Sequence, residues 1–260
     1  MPPRKLARIE PTESRLMGGA VSQQEPHAVR RPRADDRLMR DVLFGISGYP
    51  AVLVAHELKL YSLLAERPRT IPEVCDALGI TPRPAEALIS VSAAMGLLEE
   101  SDGRYSLSAV AEDYLLESSP TYFGGYFDMM IRNYSMYSFE SLKAAVLTGT
   151  PQLYGGEEVF SSHQEREDRA RTYTRAMHST SMAAALAWPE RVDLSGRRRM
   201  LDVAGGSGAH AIGAAQRWTN LGVVILELAP VCSLAEEFIA KQGLQDRVLT
   251  PLGRRSGGPT

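Results

Sequence analysis

Between residues 199 and 227 the chain sets an acid, a run of glycines and a second acid at intervals that suit a nucleotide-derived ligand. Arg199-Met-Leu-Asp-Val ends an apolar run around Asp202, turns through Ala204, Gly205, Gly206, Ser207 and Gly208, and continues into small residues. Glycines in such a turn let the backbone approach a ligand closely. Val223-Val-Ile-Leu-Glu then ends a second apolar run in Glu227, an acid that can accept both hydroxyls of a ribose. Two cofactors compete for this pattern. Gly206-x-Gly208-x-x-Ala211, with Glu227 about 20 residues on, satisfies the dinucleotide fingerprint of a nicotinamide or flavin enzyme. Asp202 favours the other: a carboxylate at the end of the first strand would repel a pyrophosphate but suits the cationic methionine moiety of S-adenosylmethionine.

The elements that must position these residues read as a βαβ unit followed by a further helix. Met200–Val203 is a strand, Ala204–Gly208 a tight turn, Ala209–Trp218 a helix, Val223–Glu227 a second strand and Pro230–Gln242 a second helix. This is the opening of a doubly wound α/β domain, whose ligand sits at the carboxyl ends of the strands.

Upstream, 109–190 reads as mostly helical, with breaks at Gly149-Thr150-Pro151 and Gly155-Gly156 and renewed helical spacing from Arg166 to Leu186. It is dense in methionine and aromatic residues, including Tyr122, Phe123, Tyr126, Phe127, Met129 and Met130. Ordinary core explains any one of them, but such a cluster also builds a pocket for a flat small molecule, with Tyr126 and Met129 as candidate substrate contacts.

Earlier still, Pro50 and the AVLVAHELKLYSLLAE that follows give an amphipathic helix with proline in its first turn. Two short helices follow, Pro72–Leu78 closed by Gly79 and a longer one capped by Thr81 and closed by Gly96. Leu97-Leu-Glu-Glu and Arg104-Tyr-Ser-Leu around Ser101-Asp102-Gly103 then form a β-hairpin. Three helices and a hairpin make a winged-helix arrangement. Its candidate recognition helix, 82–95, offers Arg83 against Glu86 and otherwise mostly small or apolar residues, so nucleic acid is not the expected partner.

Composition sets the outer bounds. The chain has 260 residues, 29 basic against 31 acidic and 44% hydrophobic, an ordinary globular balance with room for one or two domains. Residues 1–40 stand apart, with nine Lys/Arg, five Asp/Glu, five prolines and no Phe, Tyr or Trp, and read as a disordered basic tail. No apolar run reaches the length needed to span a bilayer, so no membrane helix is expected. Cys75 and Cys232, both beside apolar residues, suggest neither a disulfide framework nor a metal site, and the reducing cytoplasm is the expected compartment. No histidine and carboxylate pair has metal-ligand spacing. His210 reads as a packing or solvent-facing residue and His178 as a structural mid-helix histidine near the pocket; His56 and His163 lack a recognisable context.

Taken together, these motifs resemble the class I S-adenosylmethionine-dependent O-methyltransferases of the hydroxyindole and caffeate type, especially bacterial members that modify polyketides and other natural products. The resemblance covers about residues 38–248 and rests on LDVAGGSG and VVILELAPV behind the helical region. It implies an α+β winged-helix dimerisation domain followed by an incomplete α/β Rossmann-like methyltransferase domain. The implied segments are a tail at 1–38, the winged helix at 39–110, a helical linker and substrate-pocket region at 111–190, the first half of the methyltransferase domain at 191–248 and an irregular tail at 249–260. By the same resemblance Asp202, Ala204, Gly205, Gly206 and Gly208 form the S-adenosylmethionine loop, Glu227 holds the ribose, and Met177, in Tyr173-Thr-Arg-Ala-Met-His, lines the methyl-transfer pocket. Ala204 departs from the family's Asp-Val-Gly-Gly-Gly, where a glycine stands.

The family's general base, normally histidine, lies well beyond the second helix, together with a Gly-Asp motif near the adenine. Here Arg247-Val-Leu-Thr-Pro-Leu-Gly-Arg-Arg offers no counterpart to either. The expectation is a C-terminally truncated O-methyltransferase for a small aromatic or polyketide hydroxyl, a homodimer with no assigned catalytic residue, binding cofactor poorly and not turning over as this polypeptide alone. A catalytically inactive homologue kept for dimerisation or regulation is the alternative.

Overall fold

The computed structural model describes residues 32–152 and 167–250. Most of the basic tail, Gly155-Gly156, His163 and the end of the chain after Thr250 lie outside the described residues. Contacts divide the chain between Asp41 and Val42. In the first unit, Arg37 and Arg40 pair with Asp35 and Asp36 on the surface.

The single helix expected over 50–66 is two. Helix α1 (Arg37–Glu57) begins well before Pro50 and contains it, and α2 (Leu60–Glu66) follows a break at Lys59, whose φ of 61° is left-handed. Pro50 costs α1 one backbone hydrogen bond at a point where the helix leaves solvent for the core. Before it Val42, Leu43, Phe44 and Ile46 are exposed; after it Val52, Leu53, Ala55 and His56 are buried. By length and composition α1 is also long and apolar enough to cross a membrane, with a best-stretch mean hydropathy of 1.4. The sequence expectation relied on unbroken apolar runs, which Arg40, Asp41 and Pro50 interrupt.

Helix α3 (Ile71–Leu78) starts in a capping box, Thr70 Oγ1 accepting from the Glu73 amide and Glu73 accepting from the Thr70 amide, and ends at Gly79 with φ 66°. Helix α4 (Pro82–Ala94) starts after Thr81, whose backbone is extended but whose hydroxyl makes no capping bond. Strands β1 (Leu98–Ser101) and β2 (Arg104–Leu107) pair antiparallel about Asp102 and Gly103, both at positive φ, the backbone a two-residue hairpin turn demands. Leu60, Tyr61, Leu64, Val74, Ile89 and Leu98 are buried together as the core of this region.

Helices α5 (Ala109–Leu115), α6 (Gly124–Arg132), α7 (Phe139–Thr148) and α8 (Glu167–Ala187) follow. The long α8 packs on α6 and, further along, on the α/β layer. Glycines make that possible: a Cβ on Gly125 would lie 2.9 Å from the Arg175 carbonyl oxygen, and one on Gly213 would lie 2.0 Å from that of Ala185. His56, without context in the sequence, joins α1 to α6 through a 2.9 Å hydrogen bond to Asp128.

The α/β layer comprises β3 (Arg199–Val203), α9 (Ala209–Arg217), β4 (Gly222–Leu226), α10 (Ala229–Lys241) and β5 (Val248–Leu249). The strands are parallel in the order β3-β4-β5, with Asp202 opposite Ile225. Met182, Ile212, Leu221, Val223, Ile225 and Ile239 fill its core, each burial contributing about 1.5–3 kcal/mol. The opposite face of the sheet is exposed among the described residues, with Leu201 60% and Val203 65% accessible.

Candidate functional site

A cavity of about 940 Å³ opens where β3 and β4 end, within the range of small-molecule sites. Asp202, Val203, Ala204, Gly205, Gly206 and Ser207 line it from β3 and the following turn; Leu226, Glu227 and Leu228 line it from the end of β4. Tyr173, Thr174, Met177 and Ser181 of α8 form a further wall. Sequence reasoning thus brings Asp202, Ala204, Gly205, Gly206, Glu227 and Met177 to one place. Gly208 does not line the cavity; at φ 77° it turns the chain into α9, and a Cβ there would meet Ile225 Cδ1 at 2.7 Å. Met129 and Tyr126 do not line it either. They belong to a neighbouring core with Leu53 and Ala176, against which Met177 also packs.

The geometry of the turn follows from its residues. The Ala204 amide donates to the Leu226 carbonyl at 2.8 Å, tying the turn to β4. Ala204 then takes φ 56°, a left-handed conformation in which an L residue is strained, and Gly206 takes φ 55°. Gly205 is required for space: a Cβ would lie 2.7 Å from Asp202 Cγ and 2.9 Å from Ile225 Cγ2. Around Gly206, by contrast, a Cβ would meet nothing within 4 Å, so its surface is open.

Two carboxylates shape the field. Glu227 Oε2 accepts from the Gly206 amide at 3.1 Å and Oε1 from the Leu228 amide at 2.8 Å, which leaves lone pairs on both oxygens for a ligand. Asp202 is different: its Oδ2 is buried and has no hydrogen-bond partner. Burial holds the Asp202 carboxyl above its ordinary range; nearby His210 opposes this and the negative Glu227 reinforces it. An orphaned carboxylate oxygen beside a second acid, with largely apolar walls, is a site prepared for a cationic group with hydroxyls nearby. It is a poor place for a pyrophosphate. The donor set therefore fits S-adenosylmethionine, whose cation would meet Asp202 and whose ribose would meet Glu227.

Sequence reasoning missed one link. His210, read as packing or solvent-facing, is exposed and stands on the lining of the open cavity. His178 shares a 2.9 Å hydrogen bond with Ser207 in the turn and stacks flat on Phe238, ring centroids 3.7 Å apart. The adjacency of Met177 and His178 was the available signal: consecutive helical positions diverge by about 100°, so one faces the cavity and the next its rim.

Comparison with known proteins follows the same lines. Residues 139–253 match the O-methyltransferase domain family. A 3-hydroxy-5-methyl-1-naphthoate 3-O-methyltransferase of Streptomyces sahachiroi is 35% identical over 213 residues, covering 82% of this chain and 61% of the relative. An L-tyrosine C(3)-methyltransferase of Streptomyces lavendulae is 30% identical over 217 residues, covering 82% and 59%. The crystal structure of human N-acetylserotonin methyltransferase in complex with SAM superposes with a TM-score of 0.69 at 22% identity, covering 92% of this chain and 68% of that one. The chain spans about three-fifths of the length of these two sequence relatives.

Proposed function

We propose, on the premise that residues 139–253 belong to the O-methyltransferase domain family, that this chain carries the cofactor cavity of an S-adenosylmethionine-dependent O-methyltransferase acting on a small aromatic or polyketide hydroxyl. The observation that carries the reading is one cavity at the strand ends that brings together Asp202, whose Oδ2 has no hydrogen-bond partner, Glu227 and the glycine turn. When bound, S-adenosylmethionine supplies an electrophilic methyl group on a sulfonium. Asp202 meets the ammonium of the methionine moiety, Gly205 and Gly206 admit it against backbone, and Glu227 accepts from the ribose. Tyr173 and Met177 on α8 form the wall that orients the acceptor, so that proximity and alignment supply much of the rate. No general base is assigned: His178 is committed to Ser207, and His210 stands beside Asp202.

The acceptor class follows from the relatives and from Tyr173 and Met177 of α8, which stand in the cavity wall. A relative named for C-methylation shows that identity at the 30% level does not by itself fix the acceptor atom. The oxygen acceptor rests on the domain match and on the naphthoate 3-O-methyltransferase relative.

The remaining parts of the reading concern the assembly. The helices and hairpin over 39–110 act as a winged-helix dimerisation domain in a cytoplasmic homodimer. Supporting this are the exposed Val42, Leu43, Phe44 and Ile46 on α1 and a helix α4 that carries a single basic residue, Arg83. Sedimentation showing monomer alone contradicts the dimer.

The test of function uses methyl-labelled S-adenosylmethionine and a hydroxynaphthoate or related phenol. Label in the acceptor's methoxy carbon, reduced in Asp202→Asn, supports the proposal and overturns the expectation that this polypeptide alone does not turn over. Saturable cofactor binding without transfer to any phenol keeps the cofactor cavity and removes the transferase activity from this polypeptide, and absence of binding overturns the cofactor reading.

A further inference from the structure

We propose that His178 is a positioning residue that holds the glycine turn in its cavity-forming shape through Ser207, an inference that rests on the cofactor reading only for its consequence on binding. Ser207 lies at the centre of the turn, with its residue 5% accessible, and its hydroxyl has one bond, 2.9 Å to His178 Nδ1. The imidazole is itself fixed: it lies face to face with Phe238 of α10, 3.7 Å between centroids and 7° from parallel. Burial, with the Lys241 charge nearby, pulls the His178 pKa down to about 4, so the ring that meets Ser207 at neutral pH is uncharged. His178 therefore contacts both the turn, through Ser207, and α10, through Phe238.

The consequence is geometric. Helix α8 is pinned against α9 where Gly213 meets the Ala185 carbonyl, and about two turns earlier it is pinned to the turn by His178. Between and beside these pins it presents Tyr173, Met177 and Ser181 to the cavity. The same side-chain bond thus sets the shape of the turn that carries Gly205 and Gly206 and its distance from the acceptor wall. Glu227 holds the other side of that turn through the Gly206 amide. The turn is thus held at two adjacent residues, Gly206 by Glu227 and Ser207 by His178, and His178 is the anchor that comes from outside the βαβ unit.

The test is a double-mutant cycle in the full chain with two readouts. His178→Phe keeps the flat stack on Phe238 and removes the nitrogen; Ser207→Ala removes the hydroxyl; the pair is combined. Amide exchange of Ser207, Gly208 and Ala209 is measured without ligand, and S-adenosylhomocysteine affinity by calorimetry. Losing one hydrogen bond corresponds to about three- to tenfold. Each single variant is expected to speed exchange in the turn and weaken binding by that factor, the double variant is no worse than either, and His178→Asn, which returns a polar atom near the Nδ1 position, recovers part of the loss. Unchanged exchange in His178→Phe, or single effects that simply add in the double variant, overturns the proposal. If His178→Phe does not fold, Ser207→Ala alone decides, because unchanged exchange there removes the role of the bond. If the unaltered chain does not bind S-adenosylhomocysteine while exchange responds as expected, the cofactor reading fails and the positioning role stands.

Discussion

Replacing Asp202 with asparagine separates what the cavity needs for binding from what the chain needs for stability. Asp202 Oδ2 is buried and unpartnered, and burial raises its carboxyl pKa, with Glu227 adding to the effect. An unsatisfied buried polar group costs about 1–3 kcal/mol, more when charged. Asparagine keeps the shape and removes the charge while leaving an orphaned amide, so the ligand-free variant gains on the order of 1 kcal/mol, or about 2–4 °C in Tm for a chain of this size. The gain depends on pH in a defined direction. An acid whose folded pKa lies above its unfolded value penalises folding fully above the folded pKa, and the penalty vanishes as pH falls toward the ordinary value, here 3.8. The stability difference between variant and parent is therefore largest near neutrality and closes in acid. Binding moves the other way: a charge-assisted contact is worth about 1.5–3 kcal/mol, so S-adenosylhomocysteine binds at least about tenfold more weakly. Thermal unfolding across pH and calorimetry read both effects. A ligand-free variant less stable than the parent, or one that binds equally well, refutes the reasoning.

Four further outcomes follow from the same geometry. Ala204→Gly relieves a left-handed alanine, worth about 1–2 kcal/mol, against about 0.4–1 kcal/mol of extra unfolded-state freedom; urea unfolding should show a net gain near 0.5–1 kcal/mol, and a loss contradicts the strain at φ 56°. Gly213→Ala drives a methyl to 2.0 Å from the Ala185 carbonyl oxygen between two helix backbones; it should destabilise by at least about 3 kcal/mol, the upper end of overpacking costs, as read by urea unfolding or loss of soluble protein. His178, with its pKa down to about 4 against an ordinary 6.5, makes the unfolded chain bind more protons between those values. Stability should fall by up to about 3 kcal/mol as pH drops from 6.5 to 4, and His178→Phe should flatten that slope in pH-dependent unfolding. Phe44→Glu and Ile46→Glu place charges on the exposed face of α1, and sedimentation should then show monomer where the parent shows dimer.

Much of the α/β layer was legible because its signals are local. Asp202, the glycine turn and Glu227 fall within 26 residues of one another, and the structure brings these residues to the same strand ends that the apolar runs predict. The hairpin was readable for the same reason, since Asp102-Gly103 demands positive φ. Helix α1 was not. The proline rule places Pro50 near a helix start, yet the helix continues back to Arg37, and the true break falls at Lys59, an exposed residue with no breaker chemistry that nonetheless takes a left-handed backbone. Met129 and Tyr126 show the limit for pocket reading: a methionine and aromatic cluster looks the same in sequence whether it lines a cavity or fills a core, and Leu53 and Ala176 turn theirs into core. The link between His178 and Ser207 crosses 29 residues and joins elements whose docking no periodicity specifies.

The most direct test of the account is titration of the unaltered chain, at neutral pH and ordinary ionic strength, with S-adenosylhomocysteine and separately with a nicotinamide dinucleotide. The account predicts weak but saturable one-site binding of the first, weakened further in Glu227→Gln, and none of the second. Binding of the dinucleotide in the cavity beside Asp202, or of neither, contradicts it.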